Sequence, residues 1–127
     1  MIDERGLFHM YNKREMGSKQ EEIAMNYLID NGYKILDKNF FTKSGEIDII
    51  AKHENYLAFI EVKYRTNVNM GLPQEAVDYR KIKRISKTAL YYIYKNKISS
   101  DIPCRFDVIV ILDKEITLIK NAFDMIY

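Results

Sequence analysis

The sequence predicts an α/β domain in which a mixed sheet is flanked by helices, and three observations lead there. Residues 18–31, and a second stretch from Gln74 or Glu75 to about Asn96, carry apolar side chains at helical spacing. Residues 45–51 and 57–64 alternate as the arms of a hairpin around His53, Glu54, Asn55 and Tyr56. The second helical stretch separates that hairpin from another apolar run at residues 105–112, and a crossover of that length joins parallel neighbours.

In chain order, the first helix places Ile23, Ala24, Tyr27 and Leu28 on one stripe, with Ser18 as N-cap and Gly32 as its stop. Residues 33–41 form a first strand, and the hairpin follows. Residues 67–73 are rich in turn formers and read as an irregular connection. The second helix carries Val77, Ile82, Ile85, Ala89 and Ile93 on its apolar side. Pro103 precedes the fourth strand, and Asp113-Lys114 turns into a fifth at residues 115–119. The order is therefore α, three strands, α, two strands. Residues 1–16 form an amino-terminal arm outside a single domain of residues 17–127.

The hairpin carries the chemistry. With that turn, Asp48 faces Glu61, Glu46 faces Lys63 and Ile50 faces Phe59 on one side. Ile47, Ile49 and Ala51 face Val62, Ile60 and Ala58 on the other, which is apolar throughout and reads as the core side. Opposed carboxylates stand roughly 5 Å apart at Cβ and destabilise a bare sheet, so something must compensate. Lys63 is one answer. A divalent cation between the acids is another, since Mg²⁺ takes a few carboxylate oxygens plus waters and phosphate. The same residues also read as a solvated hairpin face laced with ion pairs.

The rest of the chain bounds the function. Its 127 residues carry a net charge of +2, which decides little by itself. Between Asp78 and Asp101, however, no acid occurs, while Arg80, Lys81, Lys83, Arg84, Lys87, Lys95 and Lys97 interleave with Tyr79, Tyr91, Tyr92 and Tyr94. That pattern fits a phosphate-backbone footprint or the wet face of an amphipathic helix. The single Cys104 excludes an internal disulfide framework or thiolate metal site and suits a reducing compartment. The charged amino terminus does not read as a signal peptide, and no apolar run reaches the length of a membrane span, so a cytoplasmic protein is expected. His9 and His53 are expected to be solvated. No Gly-rich phosphate loop or nucleophile elbow is present.

Taken together, Glu21-X-X-Ala24, Gly45 through Ala51, Phe59 through Arg65, Gly71 through Val77 with Lys81, and Arg105 through Val108 resemble the YraN family, within the restriction-endonuclease-like proteins. A remoter similarity is to archaeal Holliday-junction resolvases. The resemblance implies an αβββαβ core and a nuclease dependent on Mg²⁺ or Mn²⁺, acting on nucleic acid, chiefly DNA and including branched DNA. A homodimer is allowed. It implies that Asp48, Glu61 and the Val62 carbonyl hold metal, with Glu21 on a metal-bound water or second cation, and that Lys63 positions or deprotonates the attacking water. Arg65, Lys81, Lys83, Arg84, Lys87 and Gln74 would contact nucleic acid. Two positions depart from the simplest transfer. Ser18-X-X-Glu21 is also a capping box, and Tyr79 lies five residues beyond Gln74 where related nucleases have a tyrosine four beyond it.

Asp107 interrupts an apolar strand, so it is expected to be paired with Arg105, Lys81 or a backbone amide. Two other functions stay open. One is a non-catalytic nucleic-acid-binding or recombination accessory protein, and the other is a hydrolase using Asp48 and Glu61 as acid and base. In inverting sugar hydrolases those groups stand roughly 6.5–9.5 Å apart, wider than an opposed strand pair.

Overall fold

The computed structural model describes residues 19–65 and 78–126. Helix α1 covers residues 19–30 and ends where the sequence places its stop. Gly32 takes φ +89°, and the Gly32 and Tyr33 amides return to the Ile29 and Leu28 carbonyls at 3.1 and 2.9 Å. That closure needs a left-handed residue, which glycine adopts without a Cβ penalty.

Five strands follow: β1 (Lys34–Thr42), β2 (Gly45–His53), β3 (Tyr56–Arg65), β4 (Cys104–Leu112) and β5 (Glu115–Phe123), with helix α2 (Tyr79–Lys95) between β3 and β4. They form one sheet in the order β1-β2-β3-β4-β5. β3 and β4 are parallel and the other neighbours antiparallel. This is the mixed α/β architecture that the sequence predicts.

The sheet is covered on both faces, which corrects the expectation of a single apolar side. Alternate residues of β3 separate the two layers. Ala58 and Ile60 pack with Ala24 and Leu28 of α1, together with Ile49, Ala51, Ile109 and Ile111. Leu57 and Phe59 pack with Ile85, Ala89 and Tyr92 of α2, together with Ile50 and Phe106. Ile47 joins the α2 layer rather than the layer of Ile49 and Ile60. The alternation of faces along β2 is therefore broken between Ile47 and Ile49.

Helix α2 begins later than expected. Asp78 is extended, with φ −87° and ψ 172°, and its side chain accepts the Lys81 amide as N-cap. The other end runs as the sequence suggests, with Asn96 capping Tyr92 through its side chain and backbone. β5 runs to Phe123, four residues further than its apolar pattern indicates. The arm 1–16, His9, Ser18, the connection 67–73, Gln74 and Val77 lie outside the described residues. Among the described residues no helix is long and apolar enough to cross a membrane.

Candidate active site

The β2–β3 ladder has the expected register from His53↔Tyr56 to Ile49↔Ile60 and stops there. The expected cross-strand pairs Asp48 with Glu61 and Glu46 with Lys63 are not part of it. Asp48 turns its carboxylate onto the neighbouring backbone, and Oδ2 accepts the Val62 amide at 2.8 Å. A side chain thus satisfies an N–H that the ladder leaves open, although the charges of Glu46 and Glu61 still act on Asp48.

Where the strands part, a cleft of about 420 Å³ opens, lined by Gly45, Glu46, Asp48, Glu61, Lys81, Arg84 and Ile85. Gly45 brings β2 close to α2. A Cβ there would stand 3.4 Å from Thr88 Oγ1 and 3.6 Å from Arg84 Cβ. The first turn of α2 contributes Lys81, whose Nζ is ion-paired with Glu61 Oε1. The other oxygen, Glu61 Oε2, is buried and has no hydrogen-bond partner among the described residues. Lys63 lies two residues along β3 on the same side as Glu61 and is only 5% exposed. Burial pulls its ammonium below the usual lysine range against the opposing pull of Glu61, and Lys81 and Arg65 add to the lowering.

Asp48 is shifted the other way. Burial raises its carboxyl to about 6, the Val62 amide opposes that, and the charges of Glu46, Glu61 and Glu21 add to the rise. A folded-state value above the unfolded one contributes stability below about pH 4, and that contribution is lost as pH rises through about 6. Asp48→Asn should therefore raise the melting temperature at pH 7.5 and leave it unchanged at pH 4. The shift sets an upper bound of about 3 kcal/mol. Thermal melts of the two proteins across pH 4–8 check this, and a difference that is flat with pH contradicts the assignment.

Other candidates are placed less centrally. Glu21 Oε2 accepts Asn39 Nδ2 at 3.0 Å, and Asn39 holds a left-handed φ of 53° in β1. Glu21 nevertheless contributes to the field at Asp48. Its alternative partner Ser18 lies outside the described residues. Arg65 donates to the Tyr64 carbonyl and does not line the cleft. Lys83 and Lys87 are exposed on α2, and of the three outward cations only Arg84 reaches the cleft wall. Among the described residues no three His, Cys, Asp or Glu side chains form a metal-binding group.

Sequence reasoning missed two site features. Glu46 lines the cleft without pairing with Lys63, and Lys81 serves Glu61 directly. The second was accessible in principle, because an N-cap at Asp78 fixes Lys81 in the first turn of α2.

A separate buried network lies on the α1 face. Asp107 accepts Arg105 Nε and Nη2 at 2.8 and 2.9 Å, the Tyr33 hydroxyl at 2.8 Å and the Asn121 amide at 2.9 Å. Arg105 and a backbone amide are among the partners expected for it, whereas Lys81 is not used. His53 corrects the expectation of a solvated histidine. It is buried, its ring stacks on Tyr33 at 4.1 Å, and Nδ1 accepts from Arg105 at 3.0 Å because a guanidinium can only donate.

A mixed five-stranded α/β domain whose central strands part to form a cleft of acids and cations is thus the class that the fold defines. The chain belongs to the uncharacterised protein family UPF0102, the YraN family, whose model matches residues 20–111. A UPF0102 protein of Lachnoclostridium phytofermentans is 52% identical over 113 residues, covering 89% of this chain and 96% of the relative. Others from Thermodesulfovibrio yellowstonii and Clostridioides difficile are 50% and 49% identical, covering 86% and 88% of this chain and 96% and 99% of their own lengths.

Proposed function

We propose that the chain is a metal-dependent nuclease of the restriction-endonuclease-like kind, hydrolysing phosphodiester bonds in DNA. The observation that carries this reading is the convergence of Asp48 and Glu61 on one cleft, with Lys81 and Arg84 in its wall and Lys63 beside Glu61. The donor set fits a sparsely ligated Mg²⁺ or Mn²⁺. Asp48 has an oxygen beyond the one bound to Val62, and Glu61 Oε2 is buried without a partner. Mg²⁺ commonly takes only one or two carboxylates and completes its shell with waters and phosphate. When bound, the ion would supply an acidified water and neutralise charge on the phosphate.

The remaining work belongs to the chain. The Val62 amide fixes Asp48, and the lowered ammonium of Lys63 suits it to orient or relay a proton. Arg84 and Lys81 would hold the phosphate backbone, with Lys83 and Lys87 further along α2. Glu21 would act from outside through a water.

The test is a Mg²⁺ and Mn²⁺ cleavage panel on single-stranded, duplex, flapped and four-way-junction DNA, run beside Asp48→Ala. Metal-dependent cleavage that Asp48→Ala removes is the expected result. Salt-dependent DNA binding with no cleavage of any substrate would overturn it. That outcome would favour a non-catalytic nucleic-acid-binding accessory protein, a reading supported by the ion pair in which Lys81 already neutralises Glu61.

A further inference from the structure

The outward side of α2 carries an ordered stripe. Positions 80, 84, 87, 91 and 94 alternate steps of four and three, so they share one helix face, and all five are exposed. The chemistry changes along it. Arg80, Arg84 and Lys87 form one half, and Tyr91 and Tyr94 the other, with the tyrosines 49% and 82% exposed. At the rise of an α-helix the stripe spans roughly 21 Å. Its cationic half begins at the cleft, because Arg84 lines it.

The apolar side of α2 already packs on the sheet through Ile85, Ala89 and Tyr92, so these tyrosines contribute little to the core. Tyr91 is nevertheless buttressed. Its ring stacks against Phe40 at 6.3 Å with a 19° interplanar angle, and Phe40 meets Tyr92 edge-on at 5.1 Å. One aromatic face is thereby presented at small entropic cost. The absence of acids from Tyr79 to Ser100 makes the partner anionic.

We infer that this stripe binds a single-stranded nucleic-acid segment leaving the cleft, with phosphates on Arg80, Arg84 and Lys87 and bases stacked on Tyr91 and Tyr94. Paired bases hide their faces within the duplex, whereas unpaired bases offer them to aromatic side chains. A duplex would use the three cations and pass over the rings. The inference rests on the nucleic-acid reading of the cleft and narrows its substrate class to DNA with an unpaired extension.

The experiment measures fluorescence anisotropy of the full chain in EDTA, where cleavage plays no part, with a labelled 12-nucleotide single strand and a blunt duplex of matching sequence. Tyr91→Ser with Tyr94→Ser should weaken single-strand binding about tenfold or more and duplex binding less than about twofold. Phenylalanine at both positions should restore single-strand binding. Arg80→Gln with Lys87→Gln should weaken both and flatten their salt dependence. Unchanged melting temperatures confirm that each variant folds.

Equal losses on the two DNAs, or no loss from the serine variant, would overturn the inference. So would tyrosine-dependent binding to phosphatidylserine vesicles that exceeds binding to the single strand. Metal-dependent cleavage that survives any of these results leaves the nuclease reading standing. A wild-type protein that neither binds nor cuts DNA removes both.

Discussion

Lys63→Met is expected to lower single-turnover cleavage by about 10²–10³-fold or more while changing DNA affinity less than about threefold. The side chain is buried beside Glu61, not on the outer face of α2, so under the proposed nuclease reading its charge would act at the scissile phosphate rather than along the backbone. An interaction made chiefly in the transition state lowers the rate and spares ground-state binding. Methionine keeps most of the volume and removes the charge, so packing is largely preserved. Rapid-quench cleavage in Mg²⁺ and anisotropy in EDTA give the two numbers. Equal losses in rate and affinity would make Lys63 a binding cation, and no loss in either would make it a packed lysine of the sheet.

Asp107→Ala should have the largest effect on stability. The substitution strands a buried guanidinium, a tyrosine hydroxyl and the Asn121 amide together. Breaking a buried pair from one side costs about 3–5 kcal/mol, against a total stability of roughly 5–15 kcal/mol for a domain. Urea titration of the wild type and variant measures the difference. Arg105→Leu with Asp107→Leu should be less damaging than either single change, since it leaves no unpaired charge. A loss below about 1 kcal/mol for Asp107→Ala would show that water replaces the carboxylate easily.

Much of this architecture was legible because periodicity and turn chemistry agree. Gly32 ends α1 where the apolar stripe stops, and the two-residue turn at Glu54-Asn55 sets the hairpin register through Ile49↔Ile60. What escaped is the point at which a side chain competes with the ladder. Alternation predicts that Asp48 continues the pairing, but it carries no information on whether a carboxylate prefers a neighbouring amide to another carboxylate. His53 escaped for a similar reason. A polar residue beside a turn reads as solvated until Tyr33 and Arg105, distant in sequence, are known to cover it. The acidic pair itself was readable, because acids in an otherwise apolar hairpin need an explanation. The outward tyrosine stripe needed the burial of α2 to tell its two sides apart.

The Asp107 network also bears on the route by which the chain reaches this structure. Its bonds to Tyr33 and from Arg105 to Tyr33 join residues 74 and 72 positions apart, and the Asn121 amide draws in the last strand. Such contacts form only after the intervening loop entropy has been lost, whereas the β2–β3 hairpin closes locally. The network is therefore expected to form on the downhill side of the folding barrier, which φ-values near zero at Asp107 and Tyr33 would check. Replacing Asp107 should steepen escape from the native state far more than it slows arrival, so the buried ion pair governs how long the sheet persists once formed.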